Sequence, residues 1–216
     1  MDKIILIGGG GHALSCADVI ESKKDYVIAG VVLKNKKDKN KNKFNVVGYE
    51  NDLLKLRKKY KYAHIAVGQI KNYKIRFELY KILKKYNYIL PPLIPKFSYV
   101  SPKAKIEEGT ILMNGTIVNS NARIGKNCII NTGVIIEHGA KIGNFNHIST
   151  GVIINGDVKI GEKNFIGSGT ILYNQANVGS KKIIPALSKI KKIGKNPIYG
   201  YSGESKITKI PKKVTR

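Results

Sequence analysis

The sequence predicts two folds in one chain, a small α/β domain followed by an all-β parallel β-helix. In the first part, strand-like apolar runs alternate with helical patterns. In the second part, Val, Ile or Leu stands at every sixth position from Val100 to Ile190, sixteen times in succession. Mostly small residues stand four positions after each of these aliphatics. A period of six is typical of a parallel β-helix, in which each short flat face adds one aliphatic side chain to a shared core.

The first domain is predicted to span residues 1–95. Its expected elements, in order, are strand Lys3–Ile7, helix His12–Glu21, strand Tyr26–Leu33, loop Lys34–Lys43, helix Asp52–Lys59, strand His64–Val67, helix Tyr73–Tyr86 and strand Ile89–Leu93. Strands separated by helical patterns indicate a small parallel sheet covered by helices. The first strand runs into the glycine-rich turn Gly8–Gly11.

The β-helix is predicted to span residues 96–194. Three hexads form one triangular coil, so sixteen hexads give a little over five coils. The small-residue pattern decays after Val178, where Lys182 takes a small-residue position and Pro185 follows. Residues 195–216 contain two prolines and two glycines and are expected to form an irregular cap over the open end.

Composition narrows the range of partners. The formal net charge of +25 comes from lysines spread along the whole chain, with few arginines and no basic motif interleaved with aromatic residues. We therefore expect no nucleic acid partner, although the charge favours anionic small molecules. The two cysteines have neither disulfide nor metal-site spacing. No apolar run approaches ~20 residues and no signal peptide is evident, so a cytoplasmic protein without membrane insertion is expected.

Two histidines of the β-helix are candidates for chemistry. His138 and His147 occupy neither the aliphatic nor the small-residue position of their hexads, so both should point out of the prism. Counting one coil, or three hexads, onward from His138 places Gly156 directly above it. A base beside an approachable backbone N–H is what acyl transfer requires, because one group takes the proton of the nucleophile and the other holds the developing oxyanion.

The segment from Ile130 to Gly161, with Glu137-His138, His147-Ile148-Ser149 and Gly156-Asp157, resembles the NeuD-type bacterial sugar acyltransferases, and so does the N-terminal glycine-rich turn. That family comprises sialic acid O-acetyltransferases and N-acetyltransferases of UDP-linked 4-amino sugars. The resemblance implies a Rossmann-like domain followed by a left-handed β-helix that forms a homotrimer. It also implies acetyl-CoA as co-substrate, bound in the groove between neighbouring β-helices.

The resemblance also implies roles for particular residues. His138 would be the general base, and His147 would contact the thioester region of acetyl-CoA. The backbone of Gly156 would face the acetyl carbonyl, while Ser168 and Ala186 would line the path of the pantetheine arm. The acceptor, a sugar or nucleotide sugar, would lie on the N-terminal domain, near Gly10, Gly11, His12, Lys34, Asn35 and Gly68.

Two positions depart from the pattern of the family. Relatives commonly carry Asp or Glu directly after the catalytic histidine, where this chain has Gly139. Glu137 precedes the histidine, but neighbouring residues on a strand point to opposite faces. Relatives that bind UDP-sugars can show acidic residues at the end of the second strand, where this chain has Lys34 and Asn35. The nucleotide is therefore open at this stage.

The expected function is N-acetylation of a nucleotide-linked amino sugar by direct transfer from acetyl-CoA. O-acetylation of a sialic-acid-like sugar is the nearest alternative, and a non-catalytic trimeric scaffold is the alternative of another class. The glycine pattern also fits a dinucleotide fingerprint, but the domain is about half the size of a two-lobed dinucleotide fold. A zinc site of the γ-carbonic anhydrase type would need three histidines, and the β-helix contains two. No metal is expected.

Overall fold

The structure is a computed structural model that describes residues 1–41, 43–70, 72–193 and 196–201. Its first domain is a four-stranded parallel sheet in the order β3-β2-β1-β4. The strands are β1 (Asp2–Ile7), β2 (Tyr26–Leu33), β3 (Val46–Tyr49) and β4 (Tyr62–Ile65). The helices are α1 (Gly11–Lys23), α2 (Leu53–Leu56) and α3 (Lys74–Lys85). Short 3₁₀ helices span Lys36–Lys41 and Glu50–Asp52.

The fourth strand of this sheet differs from the prediction. Ile89–Leu93 was expected to supply it, but this segment makes only isolated bridges, from Ile89 to Tyr62 and from Leu93 to Ile111. Pro91 and Pro92 carry no N–H and cannot donate to a hydrogen-bonded ladder. The edge is formed instead by β3, whose four residues are too few to show a strand pattern in the sequence. The helix expected at Asp52–Lys59 is correspondingly short, with Leu53–Leu56 in α-helical conformation.

From Tyr99 onward the chain forms a parallel β-helix of short strands, most of them two residues long. They are β5 (Tyr99–Val100), β6 (Lys105–Ile106), β7 (Ile111–Leu112), β8 (Ile117–Val118), β9 (Arg123–Ile124), β10 (Ile129–Ile130), β11 (Ile135–Ile136), β12 (Lys141–Ile142), β13 (His147–Ile148), β14 (Ile153–Ile154), β15 (Lys159–Ile160), β16 (Phe165–Ile166), β17 (Ile171–Leu172), β18 (Asn177–Val178), β19 (Ile183–Ile184), β20 (Ser188–Ile193) and β21 (Asn196–Tyr201). Ile130 pairs with Ile148 and Ile148 with Ile166, which confirms that three hexads make one coil.

All sixteen residues of the six-residue series belong to one core cluster, fully or at its margin. The small residues predicted for the corners are also inside; Ala122, Cys128 and Ala140 are completely buried. Burying one such aliphatic side chain stabilises a fold by about 1.5–3 kcal/mol. The regular column is therefore what holds the prism together.

The outward side chains make the three walls of the prism chemically different. The covered face (β7, β10, β13, β16, β19) presents Ile111, Ile129, His147, Phe165 and Ile183. The isoleucine face (β5, β8, β11, β14, β17) presents Tyr99, Ile117, Ile135, Ile153 and Ile171. The basic face (β6, β9, β12, β15, β18) presents Lys105, Arg123, Lys141, Lys159 and Asn177.

The N-terminal domain packs on the covered face. Ile111 and Ile129 of the β-helix share a buried cluster with Ala13 and Cys16 of α1 and with Leu6 of β1. The second side of the sheet packs against α2 and α3 through a separate cluster. The sheet is thus a middle layer, and its α1 side is joined directly to the prism.

The regular stack continues beyond Val178, where the sequence pattern weakens. β19 and β20 keep the register, with Ile184 on Ile166 and Ile190 on Leu172. The irregular cap predicted for residues 195–216 does not describe residues 196–201, because β21 pairs antiparallel with β20. Extending β20 past its hexad leaves an edge that a returning strand can cover. The rest of the predicted cap lies outside the described residues. In the described part of the chain, no helix is both long and apolar enough to cross a membrane.

Candidate active site

His138 lies on the corner between the isoleucine face and the basic face, in the turn that joins β11 to β12. Its side chain is exposed, as predicted. Its ring rests against Gly156 of the next coil: a β-carbon added to Gly156 would stand 2.7 Å from both Cε1 and Nε2 of the ring. The predicted stacking of Gly156 on His138 is therefore present. Only glycine lets the imidazole lie this close to the backbone.

His147 points out of the prism, but it is covered by the N-terminal domain and only 8% exposed. Its Nδ1 lies 2.5 Å from the carbonyl oxygen of Gln69, and its ring packs edge-on against Phe165. The side-chain amide of Gln69 in turn donates to the carbonyl of Phe145, at 2.7 Å. His147 is thus held by the segment that follows β4.

A buried guanidinium lies at the same interface between the N-terminal domain and the covered face, which we call the seam. Arg76 of α3 donates through Nη1 to the carbonyls of Ile65 and Val67, both at 2.7 Å, and through Nη2 to the carbonyl of Asn127 at 3.2 Å. Arg76 therefore joins the end of β4 to the covered face without an acidic partner among these contacts.

The histidines of the seam are strongly biased towards the neutral form. Burial, assisted by the charge of Arg76 and by His147, lowers the pKa of His12 to about 3. Burial lowers the pKa of His147 to about 4, although the carbonyl of Gln69 opposes this shift. His64 is completely buried, and burial with the charge of Arg76 holds its pKa well below the usual value. Nε2 of His12 and Nε2 of His147 have no hydrogen-bond partner among the described residues.

A cleft of about 450 Å³ opens at the carboxyl edge of the N-terminal sheet. Its lining residues are Gly8, Gly9, Gly10, Leu33, Lys34, Asp38, Glu50, Val67 and Ile75. β1 is central and its neighbours β2 and β4 lie on either side, so the cleft stands at the switch point where ligands bind in open α/β sheets. A β-carbon on Gly10, Gly11 or Gly68 would meet nothing within 4 Å, so these backbones are open to a ligand.

Of the six predicted acceptor residues, Gly10 and Lys34 line this cleft, whereas Gly11, His12, Asn35 and Gly68 do not. Asn35 follows Lys34 and is exposed, and Gly68 follows Val67. Asp38 and Glu50 line the cleft and bring carboxylates that are not at the end of β2.

The predicted residues of the β-helix fall into two groups on different sides of the prism. His138 and Gly156 lie on the corner between the isoleucine and basic faces. His147 lies on the covered face, which is the wall opposite that corner in a triangular section. Ser168 and Ala186 are stacked on the corner between the covered and isoleucine faces, where both are exposed. One chain alone does not bring the two groups together.

Comparison with known proteins finds a family model and solved structures that this chain resembles. Residues 3–83 match the family model described as PglD N-terminal domain. The acetyltransferase domain of PglB from Neisseria gonorrhoeae, solved with acetyl coenzyme A, is 26% identical with a TM-score of 0.73, over 88% of this chain and 96% of that one. A search of curated protein sequences finds no match.

Two further solved structures share the fold over nearly the whole chain. A histidine-to-asparagine variant of perosamine N-acetyltransferase from Caulobacter crescentus, with CoA and GDP-perosamine, has a TM-score of 0.78 at 22% identity, over 94% of this chain and 98% of that one. WeeI from Acinetobacter baumannii has a TM-score of 0.64 at 20% identity, over 92% and 100%.

The chain has the fold of these sugar acetyltransferases, and its residues 3–83 match the PglD N-terminal domain. The predicted fold class, a small parallel-sheet domain followed by a left-handed β-helix, is confirmed by these matches together with the strand topology. The resemblance inferred from the sequence is confirmed as well.

The residues of the seam are not recognisable from the sequence. Gln69, His64 and Arg76 carry no motif, and they become neighbours of His12 and His147 only when α3 and β4 pack on the covered face. Nothing in the local pattern distinguishes Arg76 from the exposed basic residues of α3.

The two cysteines of the acyltransferase are poor nucleophiles. Cys16 and Cys128 are buried, and burial raises the pKa of each thiol to about 12. Among the described residues, no three side chains of His, Cys, Asp or Glu are grouped so as to hold a metal ion, the three histidines of the seam included.

Proposed function

We propose that this acyltransferase moves an acetyl group from acetyl-CoA to the amino group of a nucleotide-linked amino sugar, with His138 as general base. The observation that carries the proposal is the exposed His138 ring stacked on Gly156. Similar folds bind the required partners: the PglB domain was solved with acetyl coenzyme A, and perosamine N-acetyltransferase with CoA and GDP-perosamine. Use of acetyl-CoA is consistent with a cytoplasmic enzyme.

The cleft of the N-terminal domain is the proposed acceptor site. Gly10 and Gly11 bring the amino end of α1 to the cleft, where backbone N–H groups and the helix dipole favour a phosphate. Lys34, at the end of the adjacent strand β2, adds a cation to the lining, and Asp38 and Glu50 can accept hydrogen bonds from hydroxyls. Next to this turn, Nε2 of His12 and Nε2 of His147 are buried and have no hydrogen-bond partner among the described residues, so a ligand that opens the seam would find two unpaired nitrogens there.

A complete site needs a second copy of the chain. The isoleucine face is an apolar ladder on which no other element of the described residues packs; Tyr99 is 55% exposed, Ile117 is 37% exposed, and Ile135, Ile153 and Ile171 are partly exposed. An apolar strip of this length is a surface that proteins bury in an interface. The two corners that flank it carry His138 with Gly156 and Ser168 with Ala186. Packing isoleucine faces in a homotrimer would bring His138 of one protomer towards the CoA path and His147 of the next.

The proposed reaction is direct transfer in a ternary complex. The amine nitrogen attacks the thioester carbonyl while Nε2 or Nδ1 of His138 accepts a proton from it. The C–S bond then breaks, and the thiolate of CoA takes the proton back from the imidazolium. The backbone N–H of Gly156 is the candidate donor to the oxyanion, because its carbonyl is already paired with Gln175 whereas its N–H has no backbone acceptor among the described residues.

Acetyl transfer to a panel of acceptors tests the proposal. The purified protein is mixed with acetyl-CoA and with UDP- or GDP-linked amino sugars, or with a sialic-acid-like acceptor, and free CoA and acetylated product are measured. Replacing His138 by Ala should lower kcat by about 10²–10⁴-fold with the oligomer intact, since that is the usual contribution of a general base. Product from the sialic-acid-like acceptor alone would favour O-acetylation. Full activity of His138→Ala would overturn the assignment, and no transfer to any acceptor would favour a scaffold.

A further inference from the structure

We infer that Gln69 is a positioning residue that holds His147 as the Nδ1–H tautomer and leaves Nε2 as a hydrogen-bond acceptor for an N–H group of a substrate. The inference rests on the proposed function, in which His147 belongs to the acetyl-CoA site. Gln69 follows Gly68 in the segment between β4 and α3, so it is supplied by the N-terminal domain rather than by the β-helix.

The hydrogen bond between His147 and the backbone of Gln69 fixes which ring nitrogen carries the proton. Nδ1 of His147 lies 2.5 Å from the carbonyl oxygen of Gln69. A carbonyl oxygen can only accept a hydrogen bond, so Nδ1 must be the donor. In a neutral imidazole the other nitrogen then carries a lone pair. Nε2 of His147 is therefore an acceptor, and the carbonyl oxygen of a thioester cannot be its hydrogen-bond partner.

The surroundings of His147 keep the ring neutral. Burial, assisted by the charge of Arg76, lowers the pKa of His147 to about 4. The titratable groups coupled to it electrostatically are Arg76 of α3 and His12 of α1, and its ring packs edge-on against Phe165. Since none of these groups is an acid that could stabilise an imidazolium, Nε2 remains an acceptor at pH 7.

The side chain of Gln69 anchors the carbonyl that makes this bond. Its amide nitrogen donates to the carbonyl of Phe145 at 2.7 Å and to that of Asn164 at 3.3 Å, and only 2% of the residue is exposed. Phe145 stands two residues before His147, and Asn164 precedes the Phe165 on which the ring packs. One amide group thus ties Gln69 to the coil of the imidazole and to the next coil.

The backbone before Gln69 is fixed as well. Nη1 of Arg76 donates to the carbonyls of Ile65 and Val67, both at 2.7 Å. The carbonyl of Gln69 therefore starts two residues from an anchored peptide group and is anchored again by its own side chain. Val67 also lines the acceptor cleft, so this segment runs from the cleft to His147.

An N–H group is the chemistry that fits Nε2 of His147. Acetyl-CoA offers the amide N–H of its pantetheine arm nearest to the thioester, and an amino sugar offers an N–H of its amine. Nε2 is buried and has no hydrogen-bond partner among the described residues, which is costly for a polar atom. A ligand that opens the seam and donates an N–H satisfies it.

NMR of the histidine ring nitrogens tests the tautomer without any substrate. Protonated and unprotonated ring nitrogens differ in chemical shift, and the signals of His147 are assigned by their loss in His147→Gln. We expect Nδ1–H at pH 7 in the unchanged protein, and a mixture with Nε2–H in Gln69→Leu, which loses both amide donors. An Nε2–H tautomer in the unchanged protein, or the same tautomer in Gln69→Leu, would overturn the inference.

Binding and kinetics separate the two sources of the N–H group. If His147 pairs with the pantetheine amide, Gln69→Leu should raise the Kd for CoA and the KM for acetyl-CoA about tenfold, as for one lost hydrogen bond, with the KM of the acceptor nearly unchanged. If His147 pairs with the amine, the Kd for CoA should stay and kcat should fall by a similar factor. A variant that keeps all of these constants would show that Gln69 does not position His147 for a substrate.

Thr116→Val is the matched control for Gln69→Leu. Thr116 is completely buried and its hydroxyl donates to the carbonyl of Met113 at 2.6 Å, so this variant also loses a buried bond to the backbone. Val134 and Val152 occupy the stacked positions one and two coils on, so valine fits there. The control should keep the tautomer and all constants. Absence of acetyl transfer to every acceptor would refute the proposed function, while the tautomer and the Kd for CoA would still decide this inference.

Discussion

At the scale of single residues, glycines make the His138 corner work. Gly156 gives the imidazole a flat surface of backbone to lie on, and Gly139 leaves room for the carboxylate of Asp157. Each glycine therefore leaves space that a side chain of the adjacent coil fills. Because the coils stack, a glycine in one coil determines where a side chain of the neighbouring coil can lie.

Replacing Gly156 by Ala should separate this role from stability. The backbone of Gly156 does not have positive φ, so alanine is tolerated there, but its β-carbon would stand 2.7 Å from the His138 ring. We expect the ring to be displaced and kcat to fall by roughly ten- to a hundredfold, since small misplacements of a catalytic group are costly. The melting temperature should change little.

The matched control for Gly156→Ala is Gly179→Ala. A β-carbon on Gly179 meets only the end of the Lys182 side chain, at 3.8 Å. This variant should keep full activity. Equal losses in the two variants, or none in Gly156→Ala, would contradict the role given to Gly156.

Counting three hexads along the chain is the step that made this corner predictable from sequence. Applied to His138, it places Gly156 on the ring; applied to Gly139, it would have placed Asp157. Once the hexad period is recognised, the neighbours of any residue in the prism follow from its number. Nothing comparable exists for His12 or Lys34, whose neighbours depend on how separate helices and strands pack.

At the scale of elements, the seam joins α1, β4 and α3 to the covered face. Its surroundings favour the neutral form of the histidines that it contains. His12, His64 and His147 all have folded pKa values below the ordinary value, because of burial and the charge of Arg76. The sequence does not reveal this because each histidine looks ordinary in its own segment. Only the packing of four elements excludes water from all of them.

This seam should make stability depend on pH. Where the folded pKa is depressed, the unfolded chain binds protons that the folded chain does not. The contribution is therefore complete above about pH 6.5 and is lost as pH falls towards about 4 for His147 and about 3 for His12. Each group adds up to about 1.4 kcal/mol per pH unit. Chemical unfolding at pH 7 and pH 5 measures the difference.

Two variants give this measurement its controls. His64→Leu removes one buried titrating group and should make the dependence on pH shallower. Gly179→Ala removes no titrating group and should leave the slope unchanged. A free energy of unfolding that stays constant between pH 7 and pH 5 would show that the seam histidines are accessible to protons in the folded protein.

At the scale of the whole molecule, the three walls of the prism differ in what they contact and in the side chains that they present. The covered face carries the N-terminal domain, the basic face remains charged, and the isoleucine face is packed against no other element in the part of the chain that the structure describes. The core repeat made the prism predictable, but the chemistry of its walls follows from the residue that precedes each core aliphatic. Those residues show no single pattern until they are sorted by face, which requires knowing which hexads stack.

Assembly can be tested on the isoleucine face. Ile153 stands between Ile135 and Ile171 in register, so Ile153→Lys places a charge in the middle of the apolar ladder. Burying an unpaired ammonium is unfavourable, and we expect light scattering to show a monomer for this variant where the unchanged protein forms the proposed trimer. Acetyl transfer should fall in parallel, because His138 and His147 then lie on opposite sides of a lone prism. Arg123→Glu on the basic face is the control and should stay assembled. An active, monomeric Ile153→Lys protein would show that one chain completes the site.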